Sequence, residues 1–141
     1  MEPIEIIKPV IAMGALTFAM TIWMFASRLP AMSRLNIEPQ QGQDPSNLKS
    51  LLPSKVTQVA ANHNNLFEQP TLFYALALAI AVLGHTDAIH VYSAWAYVAF
   101  RMLHSIVHAT IDHVPTRFTL FIGATLSLGL MLVREIINVF I

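Results

Sequence analysis

Four stretches of this chain are too long and too apolar to fold as water-exposed helices. They run from about Ile4 to Ala26, Val56 to Leu83, Ala88 to Ile111 and Arg117 to Ile141. About 20 predominantly apolar residues suffice to cross a bilayer. The backbone must then satisfy its own hydrogen bonds, which leaves helices as the only open solution. The expected architecture is all-α, a single integral membrane four-helix bundle covering residues 1–141. Of its 141 residues, 55% are hydrophobic and only 11% charged, against roughly 25% charged in soluble domains. The first stretch has no basic segment before it and no small-residue cleavage site after it, so it reads as a retained anchor.

The connections set the topology. Gly84–Asp87 and Asp112–Thr116 are short and polar, which makes the last three stretches antiparallel neighbours. Residues 28–54 are polar and carry Pro30, Pro39, Pro45 and Pro53, a loop with room for a short surface helix. Arg28, Arg34, Lys49 and Lys55 lie on this loop or at its end, and Arg117 borders the last turn. The positive-inside rule therefore puts both in the cytoplasm and both termini on the non-cytoplasmic side. A net charge of zero argues against nucleic acid as a partner. The absence of cysteine excludes disulfides, thiolate metal sites and a cysteine nucleophile.

One buried charge marks where function belongs. Arg101 interrupts an apolar run, and Arg101, His104 and His108 fall at i, i+3 and i+7 on one helical face. An arginine inside the bilayer costs about 2.5–3.5 kcal/mol on insertion scales, so it needs a partner. At 1.5 Å per residue, Glu68 lies about 18 Å and Arg101 about 16 Å from the same end of the bundle. The two are expected to pair, with Asn65 one turn away from Glu68. Pro70 removes the donor for the Leu66 carbonyl, which allows either a kink beside this cluster or a tolerated proline. His104, His108 and Asp112 are also spaced i, i+4, i+8, with His113 adjacent. That set leaves open a zinc-like or haem-binding bundle. His85 and His90 lie at the opposite side and receive no role.

The strings Asn65-Leu66-Phe67-Glu68-Gln69-Pro70, Arg101-x-x-His104 and Arg117, in this order and at these depths, resemble the MAPEG family. These are membrane-associated proteins in eicosanoid and glutathione metabolism, and the likeness is greatest to bacterial members. The resemblance covers nearly the whole chain. It implies a homotrimer, in a bacterial inner membrane, that binds glutathione as co-substrate between subunits. The implied activity is that of a transferase or peroxidase acting on lipophilic substrates. Carried over by motif, Arg28, Asn65, Glu68, Arg101 and His104 would hold glutathione. Arg117 would stabilise its thiolate, and His108 would replace a tyrosine as proton carrier. The chain departs from active members at His108, at Ala61–Asn62 where an arginine is expected, and at Phe118 and Phe121. Those departures imply the alternative of a non-catalytic protein that binds lipid or a partner.

Overall fold

The computed structural model describes residues 1–141 and contains six α-helices and no strand. Three segments are long and apolar enough to cross a membrane: Ile4–Arg34, Ser54–Leu83 and Val114–Phe140. The stretch from Ala88 to Thr110 is helical but stands outside that set, because His90, Arg101, His104 and His108 dilute its apolar character.

Helix α1 (Ile4–Arg34) has 31 residues and runs past Pro9 and Pro30. It overshoots the expected end at Ala26, so Arg28 belongs to the helix and not to a loop. At 1.5 Å per residue it is about 46 Å long, well beyond the roughly 30 Å of a hydrocarbon core. Asn36 then takes a left-handed backbone (φ 51°), and a short 3-10 helix covers Pro39–Gln43. Helix α2 (Pro45–Leu51) begins where Asp44 accepts from the backbone N–H of Ser46, with Pro45 in its first turn. The Ser46 hydroxyl, followed by that N–H, holds the Asp44 carboxyl below the usual carboxylate range. Much of the stretch read as loop is therefore helical, and it carries Lys49.

The second stretch is not one helix. Helix α3 (Ser54–Asn65) ends, three residues intervene, and α4 (Gln69–Leu83) starts with Pro70 in its first turn. Proline is tolerated there because a first-turn N–H has no helical partner anyway. Gly84 (φ 73°) closes α4 in the left-handed region that glycine enters freely. Helix α5 (Ala88–Thr110) starts on an Asp87 cap that accepts from the backbone N–H of His90. Asp112 (φ 48°) makes the next turn. Helix α6 (Val114–Phe140) begins three residues before the expected start, leaving Arg117 inside its first turn.

α5 is the central column. It packs most extensively on α6, and also on α1 and α3, while α1 additionally covers α4. The core combines Ile6, Met13, Met20 and Met24 with Phe73, Ala77, Ile80, Ala94, Tyr97, Ala124, Leu128 and Met131. The α1 contributors recur at seven, seven and four residues, one face of a helix. The rings of Phe73 and Tyr97 stack at 4.5 Å. A Cβ on Gly123 would lie 2.7 Å from the Phe100 ring, so α5 and α6 approach as closely as they do because that side chain is missing. Phe118, Ile122, Leu126, Leu130 and Val133 of α6 stay exposed, an apolar surface suited to lipid or another protein.

Candidate functional site

The break between α3 and α4 organises the polar interior. Where α3 stops, its last carbonyls accept only from the N–H three residues on. That of Asn65 accepts only at 3.4 Å from Glu68, which leaves it open to a second donor. Arg101 is fully buried, and its Nη2 donates to the Asn65 carbonyl at 3.1 Å and to Asn65 Oδ1 at 2.8 Å. The cation thus sits at the negative end of the α3 dipole, where positive charge is favoured. Its guanidinium also lies 5.8 Å from the centre of the Phe121 ring, within range of a cation–π attraction.

The expected Glu68–Arg101 ion pair is absent: no carboxylate lies within 4.0 Å of Arg101. Asn65 stands between the two, accepting from Arg101 and donating from Nδ2 to Glu68 Oε2 at 2.9 Å. Depth placed both charges level, but the freed end of α3 took the cation and left Glu68 exposed.

His104 and His108 are buried, with ring centres 5.6 Å apart and nearly perpendicular. His104 Nδ1 lies 2.9 Å from the Arg117 carbonyl oxygen. A carbonyl only accepts, so Nδ1 carries the hydrogen, and in the neutral ring Nε2 is an acceptor. Arg117 donates from Nη1 to Asp112 across the turn. No group of three His, Cys, Asp or Glu side chains converges as a metal site requires. His104 and His108 share a face of α5, but Asp112 lies beyond the helix end at Thr110 in a left-handed turn. Arg117 holds His104 through its carbonyl and Asp112 through its guanidinium.

Two adjoining clefts open beside α3 at the Asp112 end. One, of about 410 Å³, is lined by Lys49, Thr57, Gln58, Ala61, His108, Asp112 and Arg117. The other, of about 290 Å³, includes Arg28, Asn64 and again Lys49, Thr57 and Ala61. Arg28 Nε and Gln58 Oε1 are buried without a partner. The shared wall joins Arg28, Lys49 and Arg117 into one cationic basin with only Asp112 as a counter-charge. Together the clefts reach the size of small-molecule sites.

The sequence-selected residues thus form two groups. Arg28, His108 and Arg117 line the basin; Asn65, Glu68 and Arg101 are joined to one another by hydrogen bonds. None of those three, nor His104, lines a cleft of the single chain. Lys49, Thr57 and Asn64 escaped sequence reasoning, although Asp44-Pro45-Ser46 is a helix-start signal that places Lys49 on an ordered element.

The model of the MAPEG family matches residues 6–137. No curated protein and no solved structure matches the chain.

Proposed function

The chain belongs to the MAPEG family, and from that premise we propose that it is a glutathione-dependent membrane transferase or peroxidase acting on lipophilic substrates. The observation that carries this reading is the cationic basin. Glutathione brings two carboxylates, one ammonium and a thiol. Arg28 and Lys49 suit the carboxylates, and the unpartnered Nε of Arg28 supplies a donor for one of them. Arg117 and His108 stand in the adjoining cleft, where the thiol would lie. A thiol near pKa 8.5 becomes a nucleophilic thiolate beside a cation, and the first turn of α6 adds its own positive potential. The thiolate would attack an electrophilic carbon of a substrate arriving from the lipid and displace its leaving group. With a hydroperoxide it would attack an oxygen, breaking the O–O bond to release the alcohol and a glutathione sulfenic acid that a second glutathione converts to disulfide and water.

Glu68 suits the ammonium. It is an exposed carboxylate without a cation within 4.0 Å, on a column long and apolar enough to span a membrane. Such a charge calls for cover, and a homotrimer with the ligand between subunits supplies it. In this assembly α5 is the fourth span, its polar face enclosed by α3 and α6. Arg101 and His104 act as positioning residues for Asn65 and Arg117. Arg28, Arg34, Lys49, Lys55 and Arg117 gather at the basin end, whereas Lys8 and Arg134 elsewhere are each paired with a carboxylate. By the positive-inside rule this bias supports a cytoplasmic basin with both termini outside.

The test is a thiolate absorbance titration of glutathione with detergent-solubilised protein. Binding with thiolate formation supports the enzyme. Binding without thiolate favours a second reading, a non-catalytic lipid-binding member, for which the Arg117–Asp112 pair speaks because it partly neutralises the cation. No binding at all sinks the glutathione reading.

A further inference from the structure

A separate cluster of titratable side chains closes the opposite end of the bundle. His85 and Asp87 lie in the turn between α4 and α5, His90 in the first turn of α5, and Glu135 near the end of α6. His90 is 0% exposed and Glu135 only 6%. His85 Nδ1 is 2.8 Å from Glu135 Oε1, and His90 Nε2 is 3.6 Å from Glu135 Oε2.

The other nitrogen of His90 decides where the protons are. His90 Nδ1 lies 3.0 Å from the carbonyl oxygen of His85 and 3.2 Å from Asp87 Oδ1. Both oxygens accept, the Asp87 carboxylate being paired with Arg134, so Nδ1 carries a hydrogen. Neutral imidazole has a single N–H. Its Nε2 would then turn a lone pair toward Glu135 Oε2, and an ionised carboxylate also offers only lone pairs. Two acceptors facing each other in a buried site are each left without a partner, a costly arrangement. One proton between them removes the conflict.

We propose that His90 and Glu135 form a proton-binding site. It holds one proton more than neutral His90 and ionised Glu135 together, and that proton ties the start of α5 to the end of α6. Whether it rides on Nε2 or on Oε2, it belongs to the pair. His85 can carry a second proton, but its Nδ1 already faces Oε1 and leaves the gap between Oε2 and His90 unfilled. Glu135 has no Lys or Arg within 4.0 Å, since Arg134 turns to Asp87. Before α1, the Met1 amino group binds the Thr86 carbonyl at 2.8 Å and Glu2 is exposed, and within α1 Glu5 and Lys8 pair with each other. The last turn of α4 brings no ionisable side chain, and Tyr92 of α5 is exposed.

Glu135→Gln tests this directly. A glutamine can accept from His85 Nδ1–H with its oxygen and donate to His90 Nε2 with its amide nitrogen, which keeps both contacts without the extra proton. A native state that binds more protons than the unfolded one loses stability as pH rises. In detergent, the wild-type unfolding midpoint should therefore fall relative to Glu135→Gln from mildly acidic to alkaline pH. Parallel curves would overturn the proposal. Should the variant not fold, nitrogen-15 spectra of histidine-labelled wild type and the infrared carboxyl stretch decide. A protonated Nδ1 on His90, with a further proton on Nε2 or on Glu135 at mildly acidic pH, sustains the proposal. Absence of either proton refutes it.

Discussion

Arg101 closes the carboxyl end of α3 by donating from one nitrogen to both the backbone and the side-chain oxygen of Asn65, at 3.1 and 2.8 Å. The cation inside the bundle is thus met at Nη2 by a helix terminus and an amide, while its Nε and Nη1 are buried without a hydrogen-bond partner. Glu68 is reached only through the same asparagine.

That arrangement predicts unequal couplings. Asn65→Leu removes an acceptor from a buried cation and should cost about 1.5–3 kcal/mol, whereas the exposed Glu68→Gln should cost under about 1 kcal/mol. Double-mutant cycles with Arg101→Met, read by denaturant unfolding in detergent, should give a coupling of about 0.5–3 kcal/mol for Asn65 and little for Glu68. The reverse order would restore the direct Glu68–Arg101 pair.

Gly123 sets the approach of α5 and α6. Gly123→Ala places a methyl group 2.7 Å from the Phe100 ring and should destabilise by about 1–3 kcal/mol through overpacking. Most of that loss should return in a Phe100→Leu background, where the ring is gone. Thermal unfolding of the four proteins is the check, and an unchanged penalty in the double variant would locate the strain elsewhere.

The Arg117–Asp112 pair predicts opposite effects on thiol acidity. If glutathione binds as proposed, Arg117→Ala should raise its apparent thiol pKa and lower turnover by about 10²–10³, the usual cost of removing one preorganised stabilising group. Asp112→Asn keeps a residue that accepts left-handed backbone but frees the cation, and should lower that pKa. Absorbance titration measures both. Two variants shifting in the same direction would rule out a role for the Arg117 charge.

Asp87 makes the α4–α5 turn acid-sensitive. Partial burial works to raise its pKa, but the backbone N–H of His90 and the Arg134 guanidinium outweigh it and hold the carboxyl below the usual range. A carboxyl with a depressed folded pKa lends stability that is complete above its unfolded value near 3.9 and is lost as pH falls through the folded value. Amide exchange at His90 and Val91 should therefore accelerate in strong acid, and Asp87→Asn should show the faster exchange already at neutral pH. Identical exchange in both proteins would dissociate the cap from the turn.

Local signals carried much of the fold. Gly84 ends α4 and Asp87 opens α5, and both are residues whose chemistry marks such places. Pro30 pointed the wrong way: it stands late in α1 and the helix continues around it to Arg34. Arg101 was rightly singled out as needing a partner. The partner is Asn65 and not Glu68, because helical depth measures position and says nothing about which carbonyl a chain break leaves open to a second donor. The basin depends on α2 and α3 lining the same cleft, and the His90–Glu135 contact joins residues 45 apart in the chain. Neither leaves a periodic trace.

The three-residue interruption at Leu66–Glu68 also divides labour along one column. α4 spends its buried residues, Phe73, Leu76, Ala77 and Ile80, on anchoring, while α3 presents Thr57, Ala61 and Asn64 to the clefts. A continuous helix would transmit every change of twist from one half to the other. Here the joint separates the two halves, so substitutions at the exposed Ala61 and Asn64 should alter the cleft wall and leave the packing of Phe73 and Ile80 unchanged.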